Sequence, residues 1–450
     1  MEATQHRRQE ARDQRREKAL DELQHEARSR ETEERQTHLE TNRSEADSTS
    51  SSNLGETTDD PLHDVRATTI DEFDKRTWHV IETVMSAHAT LLIDGIEGCF
   101  GLIIVGPSGC GKSTALRPFE AVGIQPQFYR SDDITPASFV SHDASKSEDE
   151  LQRDDLLPKI KHRTVLNPEM ANWFGGDWAV REQKMAKLVR VMDGRGYTSN
   201  SGTHGERGYE GNYRFNFVGA TTPLDKRDWD MMGHTGNRFL FHEMPAAEDE
   251  AADRDAIFGE SEIASKIHTL QKVIQDFLVG LWNESDDANS INWQESPDEE
   301  VQDVVMYLAQ LIRHARTPIN DDGTPERESI MRVGKMVYDL ARGRALLSGR
   351  NHVEMRDLDV CARVALSTMP RDRRSLVREI VQLDEGEVLR TQEVMDRLDV
   401  SRPTALNRMN ELDNLGIGEQ TELKVQGGET RTIEPRPKLC WPDDLAYPEF

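Results

Sequence analysis

Lysine is scarce in this chain, with 14 residues in 450 against 42 arginines. Aromatic residues make up only 6% and cysteines number four. No run of about 18 apolar residues occurs, which excludes a membrane-spanning helix and predicts no membrane partner. The first twenty residues, MEATQHRRQEARDQRREKAL, are charged and lack the apolar stretch of a secretory signal. Cys99, Cys110, Cys361 and Cys440 are too few and too scattered for a disulfide framework or a zinc knuckle. These absences predict a cytoplasmic protein in a reducing compartment. What the chain has in excess is acid: Asp+Glu 83 against Lys+Arg 56, for a net charge of -27.

An acidic, lysine-poor composition is similar to that of proteins from salt-in halophiles, where carboxylates keep the surface hydrated. Overall acidity opposes nucleic-acid binding. At molar salt that repulsion is screened over a few ångströms, and a local basic patch suffices.

The length suggests two to four domains. Residues 1–62 are charge-dense and apolar-poor, a low-complexity tail that is disordered or helical, with TNRSEADSTSSSNLGETTDD (41–60) as its linker. Helical spacing at Phe73, Val80, Val84 and Leu91 predicts a helix across 69–91. GCFGLIIVGPSGCGKSTALRPFE then reads strand, glycine loop, helix, and further strands are expected at 126–130, 163–167 and 213–222. Residues 63–245 are therefore expected to form an α/β unit around a mainly parallel sheet. From 246 to 370 the pattern is helical, at 258–282, 299–314, 328–348 and 354–368, and 371–450 forms a small α+β unit.

Gly106-Pro107-Ser108-Gly109-Cys110-Gly111-Lys112-Ser113 fits G-x-x-x-x-G-K-[ST], between an apolar strand and the helix-forming STALRPFEAV. The glycines let backbone N–H groups turn inward around a β-phosphate, and the loop from Gly106 to Thr114 would hold ATP. Lys112 would neutralise the β- and γ-phosphates, and the Ser113 hydroxyl would ligate Mg2+. About fifty residues on, HRTVLNPEM (162–170) is an apolar strand ending at Glu169, suited to orient and deprotonate the attacking water. Pro168 stands where an Asp usually precedes such a Glu, with Asn167 before it, so Asp132 or Asp133 are alternative metal carboxylates.

FNFVGATTPLDKRDWDMMGHTGNRFLFHEMP (215–245) ends a strand at Thr221-Thr222, which resembles the sensor-1 element of AAA+ ATPases. GNRFLFHEMP resembles the segment that carries the arginine finger there, with Arg238 as finger and Arg227 as the alternative. ESIMRVGKMVYDLARGRALLSGRNHVEMRDLDVCARVAL (328–366) resembles the AAA+ lid, with Arg332 as its nucleotide sensor and Arg342 or Arg344 as alternatives. No LSGGQ-like signature of the transporter-type ABC ATPases follows. The resemblance covers about residues 65–370. It implies a P-loop AAA+ core, a helical lid, and catalysis by Lys112, Glu169, Thr221 and Thr222 with Arg238 supplied by a neighbouring subunit.

Between these motifs lies DGRGYTSNSGTHGERGYEGNY (193–213), read as a pliable polar loop. Arg195, Tyr197, His204, Arg207 and Tyr209 would grip a nucleic-acid backbone and unstacked bases, or simply face solvent. In the last section, LRTQEVMDRLDVSRPTALNRMNELDNLGI reads helix, tight turn, helix, followed by a hairpin around Gly427-Gly428. This order resembles a winged helix-turn-helix domain whose recognition helix, about 402–415, exposes Arg402, Thr404, Asn407 and Arg408 to DNA. Lys424 and Arg431 would join them from the wing, while Leu406, Met409 and Leu412 face the core. The layout is similar to ATPases of archaeal plasmids and viruses. It implies an ATP-hydrolysing protein acting on DNA as a ring or filament, or else a nucleotide-gated DNA-binding regulator with little turnover.

Overall fold

The computed structural model describes residues 60–142, 145–201, 205–247, 263–285, 288–293, 296–320, 322–384, 386–425 and 428–449. The expected tail up to residue 59, His204, Gly427 and the expected helix start at 258–262 lie outside the described residues. The chain opens with α1 (His63–Glu72) and α2 (Lys75–Ala89), not with one helix across 69–91. Asp74 makes the break: its backbone is extended and its carboxylate accepts from the Thr77 N–H at 2.7 Å, so a new helix starts there. There follow β1 (Gly101–Val105), α3 (Lys112–Leu116), β2 (Phe128–Arg130), α4 (Glu148–Asp154), α5 (Leu156–Ile160), β3 (Thr164–Asn167), α6 (Ala171–Phe174) and α7 (Trp178–Val191). Next come β4 (Gly196–Ser201), β5 (Gly205–Glu210), β6 (Asn216–Thr221), α8 (Lys226–His234) and β7 (Phe239–Glu243).

Five of these strands form a parallel sheet in the order β2-β3-β6-β1-β7. β1 is buried at every position because both sheet faces are covered, which is why it reads as an unbroken apolar run rather than an alternation. Leu102, Ile104, Val218 and Leu240 face a core shared with α2 and the later helices. Ile103, Val105, Phe217 and Phe241 face Met185, Leu188, Trp173 and Trp229 on the other side. Each such fully buried side chain contributes about 1.5–3 kcal/mol. Arg214, just before β6, is buried and pairs with no carboxylate among the described residues: its guanidinium donates to the carbonyls of Thr90, Leu91, Ile93 and Ile96. It thereby caps the end of α2, and burial pushes its pKa down to about 10.

The segment 193–213 is not a loop but carries the antiparallel hairpin β4/β5. Tyr197 and Tyr209 are in register across it, and the Tyr209 ring lies against Tyr213, with ring centres 5.4 Å apart. The hairpin is anchored by Asp155, whose carboxylate is wholly buried and takes Arg207 at 2.8 Å and the Tyr209 hydroxyl at 2.7 Å. The Lys187 ammonium stands 3.3 Å from the centre of the Tyr197 ring. Three of the groups read as nucleic-acid contacts are thus engaged by the protein itself.

The helical section holds α9 (Ile263–Glu284), α10 (Glu299–Ala315), α11 (Ile330–Leu347) and α12 (Leu358–Ala365). The expected helix 354–368 splits into a 3-10 turn at Met355–Asp357 and α12. The chain ends with α13 (Arg371–Ile380), β8 (Leu389–Arg390), α14 (Thr391–Leu398), α15 (Arg402–Leu415), β9 (Gly418–Val425) and β10 (Gly428–Pro435), the strands pairing as β8-β10-β9. Ser401 caps α15, Pro403 sits in its first turn, and Gly416 in the left-handed region ends it. Met409 and Leu412 are fully buried, with Ala405 taking the innermost place that the spacing gave to Leu406, which is only half-buried. This section continues the core of the helical one. His314 and Arg327 both reach the Leu415 carbonyl at the end of α15, at 2.7 and 3.0 Å. Arg373 pairs with Glu411 and donates to the carbonyls of Ala315 and Thr317. No helix among the described residues is long and apolar enough to cross a membrane.

Candidate functional site

The glycine loop leaves the C-terminal end of β1, the second-to-last strand of the sheet order and the one flanked by β6 and β7. Gly106 is fixed by a close approach: a Cβ there would stand 2.2 Å from the Met244 carbonyl oxygen. Gly111, at φ 101°, turns the backbone into α3 in a conformation that side chains avoid. Pro107, Ser108 and Gly109 are exposed, Cys110 is buried, Ser113 is exposed and Thr114 half-buried. The Lys112 ammonium, nearly buried, donates to the carbonyls of Gly106 at 2.8 Å and Pro107 at 2.7 Å, so it lies across its own loop. The helix after the loop is shorter than STALRPFEAV suggests. It stops at Leu116, because Pro118 has no N–H to continue the ladder, and the chain tightens into a 3-10 turn at Arg117–Glu120.

Beside the loop, the neighbouring strands bring their last residues to the same end of the sheet. Thr221, buried, is in register with Val105, and its carbonyl accepts from Gly106 N–H at 3.3 Å. Thr222 is exposed. Asn167 closes β3 and is fully buried, yet neither amide atom has a hydrogen-bond partner among the described residues. Such a group is expensive to leave unmade. Glu169, two residues on, is exposed. Asp132 and Asp133 are not close: they follow β2, at the sheet edge and three strands from β1, and Asp132 pairs with Arg130 at 3.1 Å. Glu243, in register with Val105 on the other side, binds Arg374 and Arg378 of α13. Burial dominates the lowering of both guanidinium pKa values. Sequence reading missed Arg374 and Arg378, because nothing local marks an arginine whose partner lies about 130 residues earlier.

The glycine loop offers backbone N–H groups at a strand-to-helix turn, where an anion could be held. Among the described residues no group of three or more His, Cys, Asp or Glu could hold a metal by itself. Neither a protein-family model nor a curated protein matches the chain.

Other expected site residues fall elsewhere. Arg332 is not beside the glycine loop. With Arg238, it lines a cavity at the N-terminal ends of β1 and β7, the length of a strand away, roughly 16 Å. The reason is the orientation of α11, whose first turn lies beside Cys99 and Phe100. Arg238 is engaged by Asp193 and by the Val189 carbonyl. Arg227 stacks near Trp178, Arg342 binds Asp339, and Arg344 binds Glu82. On α15, Arg402 and Asn407 are exposed and Thr404 shares a hydrogen bond with Ser401. Arg408 turns inward to Ser375 and Asp372, and Arg431 to Asn410 and Glu422. The Lys424 side chain lies outside the described residues.

Proposed function

We propose that this chain is an ATP-binding P-loop protein of the AAA+ type that hydrolyses ATP with Mg2+ and acts on DNA. The observation that carries the reading is the glycine loop at the C-terminal end of β1, in a sheet ordered β2-β3-β6-β1-β7, with β6 ending at Thr221 beside it. Backbone N–H groups of Ser108, Gly109, Gly111, Lys112 and Ser113 would cradle the phosphates, and Lys112 would leave its loop carbonyls for the β- and γ-oxygens. Ser113 would help to hold the Mg2+ ion, and the Asn167 amide would stand in for the usual carboxylate near it. Glu169 and the Thr221 hydroxyl orient the attacking water. The helix-turn-helix and hairpin over 389–435 support a winged-helix DNA contact made chiefly through Arg402 and Asn407, the two expected contacts whose described side chains are exposed.

A neutral Asn167 polarises the ion's water less than a carboxylate does, which favours a second reading: a nucleotide switch that binds DNA with slow turnover. The deciding measurement is ATP hydrolysis in molar KCl with and without single- and double-stranded DNA. DNA-stimulated turnover that is abolished by Lys112→Ala supports the hydrolase. ATP binding that alters DNA affinity without turnover supports the switch, and no ATP binding at all would sink both.

A further inference from the structure

At the opposite end of the sheet from the glycine loop is a cavity of about 950 Å³. Its wall carries six cations, Arg190, Arg195, Arg238, Arg332, Lys335 and Arg342, against three carboxylates, Glu97, Asp193 and Asp339. In a chain of net charge -27 this concavity is locally positive. The carboxylates account for four of the cations: Asp193 binds Arg238 and Arg190, Glu97 binds Arg195, and Asp339 binds Arg342. Arg332 and Lys335 form no ion pair within 4 Å among the described residues, and Lys335 feels only the more distant attraction of Asp339, which is bound to Arg342. Arg332 and Lys335 are three positions apart on α11, so their charged ends share one face and repel. The first turn of α11 opens into the same space through Ser329 and Met331, adding the positive end of an 18-residue helix.

We propose that this cavity is a second anion site, built for the phosphate chain of a polyphosphate or nucleotide. Two adjacent, exposed cations on one helix face repel, and an anion between them relieves that repulsion. Arg238, Arg190 and Arg195 approach from three other points of the wall, a spread that suits a chain of several phosphates better than one. The volume lies within the range of small-molecule sites. Asp193 occupies the place of a phosphate oxygen on Arg238 and Arg190 until the ligand arrives. The inference stands apart from the glycine loop's own nucleotide, since no residue of that loop lines the cavity.

The test uses the full chain carrying Lys112→Ala, so that the glycine loop is silenced, and titrates inorganic tripolyphosphate calorimetrically at low salt. Saturable binding at one site per chain is expected. Adding Arg332→Ala with Lys335→Ala weakens it at least about tenfold, and adding Asp193→Asn strengthens it. Both positions on α11 are exposed, and an unchanged circular-dichroism spectrum separates lost binding from lost fold. Absence of saturable binding, or an affinity untouched by the double substitution, overturns the proposal. Two further arms separate the sources of the phosphate chain. ATP bound by the monomeric Lys112→Ala chain marks a free ligand. ATP-dependent self-association of the chain with an intact glycine loop, abolished by the Arg332→Ala/Lys335→Ala pair, marks a phosphate chain carried by a second copy.

Discussion

Asn167 takes both atoms of its amide into the interior without a partner among the described residues, and Val165 and Leu166 before it on β3 are apolar. Retaining such a group costs stability, about 1–3 kcal/mol for an unmet buried polar atom. Asn167→Leu should therefore raise the urea midpoint, by roughly 1 kcal/mol in stability. The same substitution should slow nucleotide turnover while leaving ATP binding by the glycine loop intact. A variant that is both less stable and equally active would contradict the assignment. Lys112 behaves differently: its nearly buried ammonium donates to two loop carbonyls, so Lys112→Ala should abolish turnover and also lower the melting temperature, since two charge-assisted hydrogen bonds are lost. At this scale the sequence was informative where the chemistry is local. Gly106, Gly111 and Lys112 are recognisable from spacing alone, because the loop's turn needs those residue types in that order. Asn167 was visible only as a missing Asp; that its amide is orphaned depends on tertiary packing, with Gly219 of β6, which has no side chain, as its register partner.

Among the elements, the β4/β5 hairpin shows most clearly how a distant residue decides local structure. Its sequence is glycine-rich and polar, and on composition it reads as loop. Asp155, which closes α4 some forty residues earlier, supplies the buried carboxylate on which Arg207 and Tyr209 converge. Removing one partner of a buried pair leaves the other charge uncompensated, a loss of about 3–5 kcal/mol. Asp155→Asn should thus release the hairpin, seen as faster amide exchange over 196–210 and a lower denaturation midpoint, with the central sheet still protected. Exchange unchanged in the hairpin would show that its backbone ladder holds without Asp155. α15 teaches the opposite lesson. Ser401, Pro403 and Gly416 are cap signals written in the local sequence, and its expected bounds, 402–415, coincide with Arg402–Leu415. The inward turn of Arg408 was not legible, because it depends on Asp372 and Ser375 of α13 lying against that face.

For the whole molecule, buried imidazoles make stability depend on pH. Burial pushes His88 from 6.5 to about 3, and burial followed by the nearby Arg363 pushes His79 from 6.5 to about 4. Folded values below the unfolded one mean that the unfolded chain binds the extra protons. Stability is then fully present above pH 6.5 and is lost as the pH falls through about 4 and about 3. His88 joins four elements: it is stacked between Phe128 and Trp282, with ring centres at 4.2 and 4.5 Å, and bonds Thr164. His88→Phe keeps the stack and removes the proton site. The plot of unfolding free energy against pH should become shallower by about 1.4 kcal/mol per pH unit below 6.5. An unaltered slope would place the acid sensitivity elsewhere. The sequence by itself determined the α/β class, the glycine loop, the caps of α15 and the acidic surface, because each follows from neighbours within a few positions or from composition. Only the tertiary structure decided that Arg332 and Arg238 share one cavity while Arg374 and Arg378 meet Glu243 near the loop. Charge pairing across more than forty residues depends on how the sheet and helices pack, and that packing leaves no periodic trace in the chain.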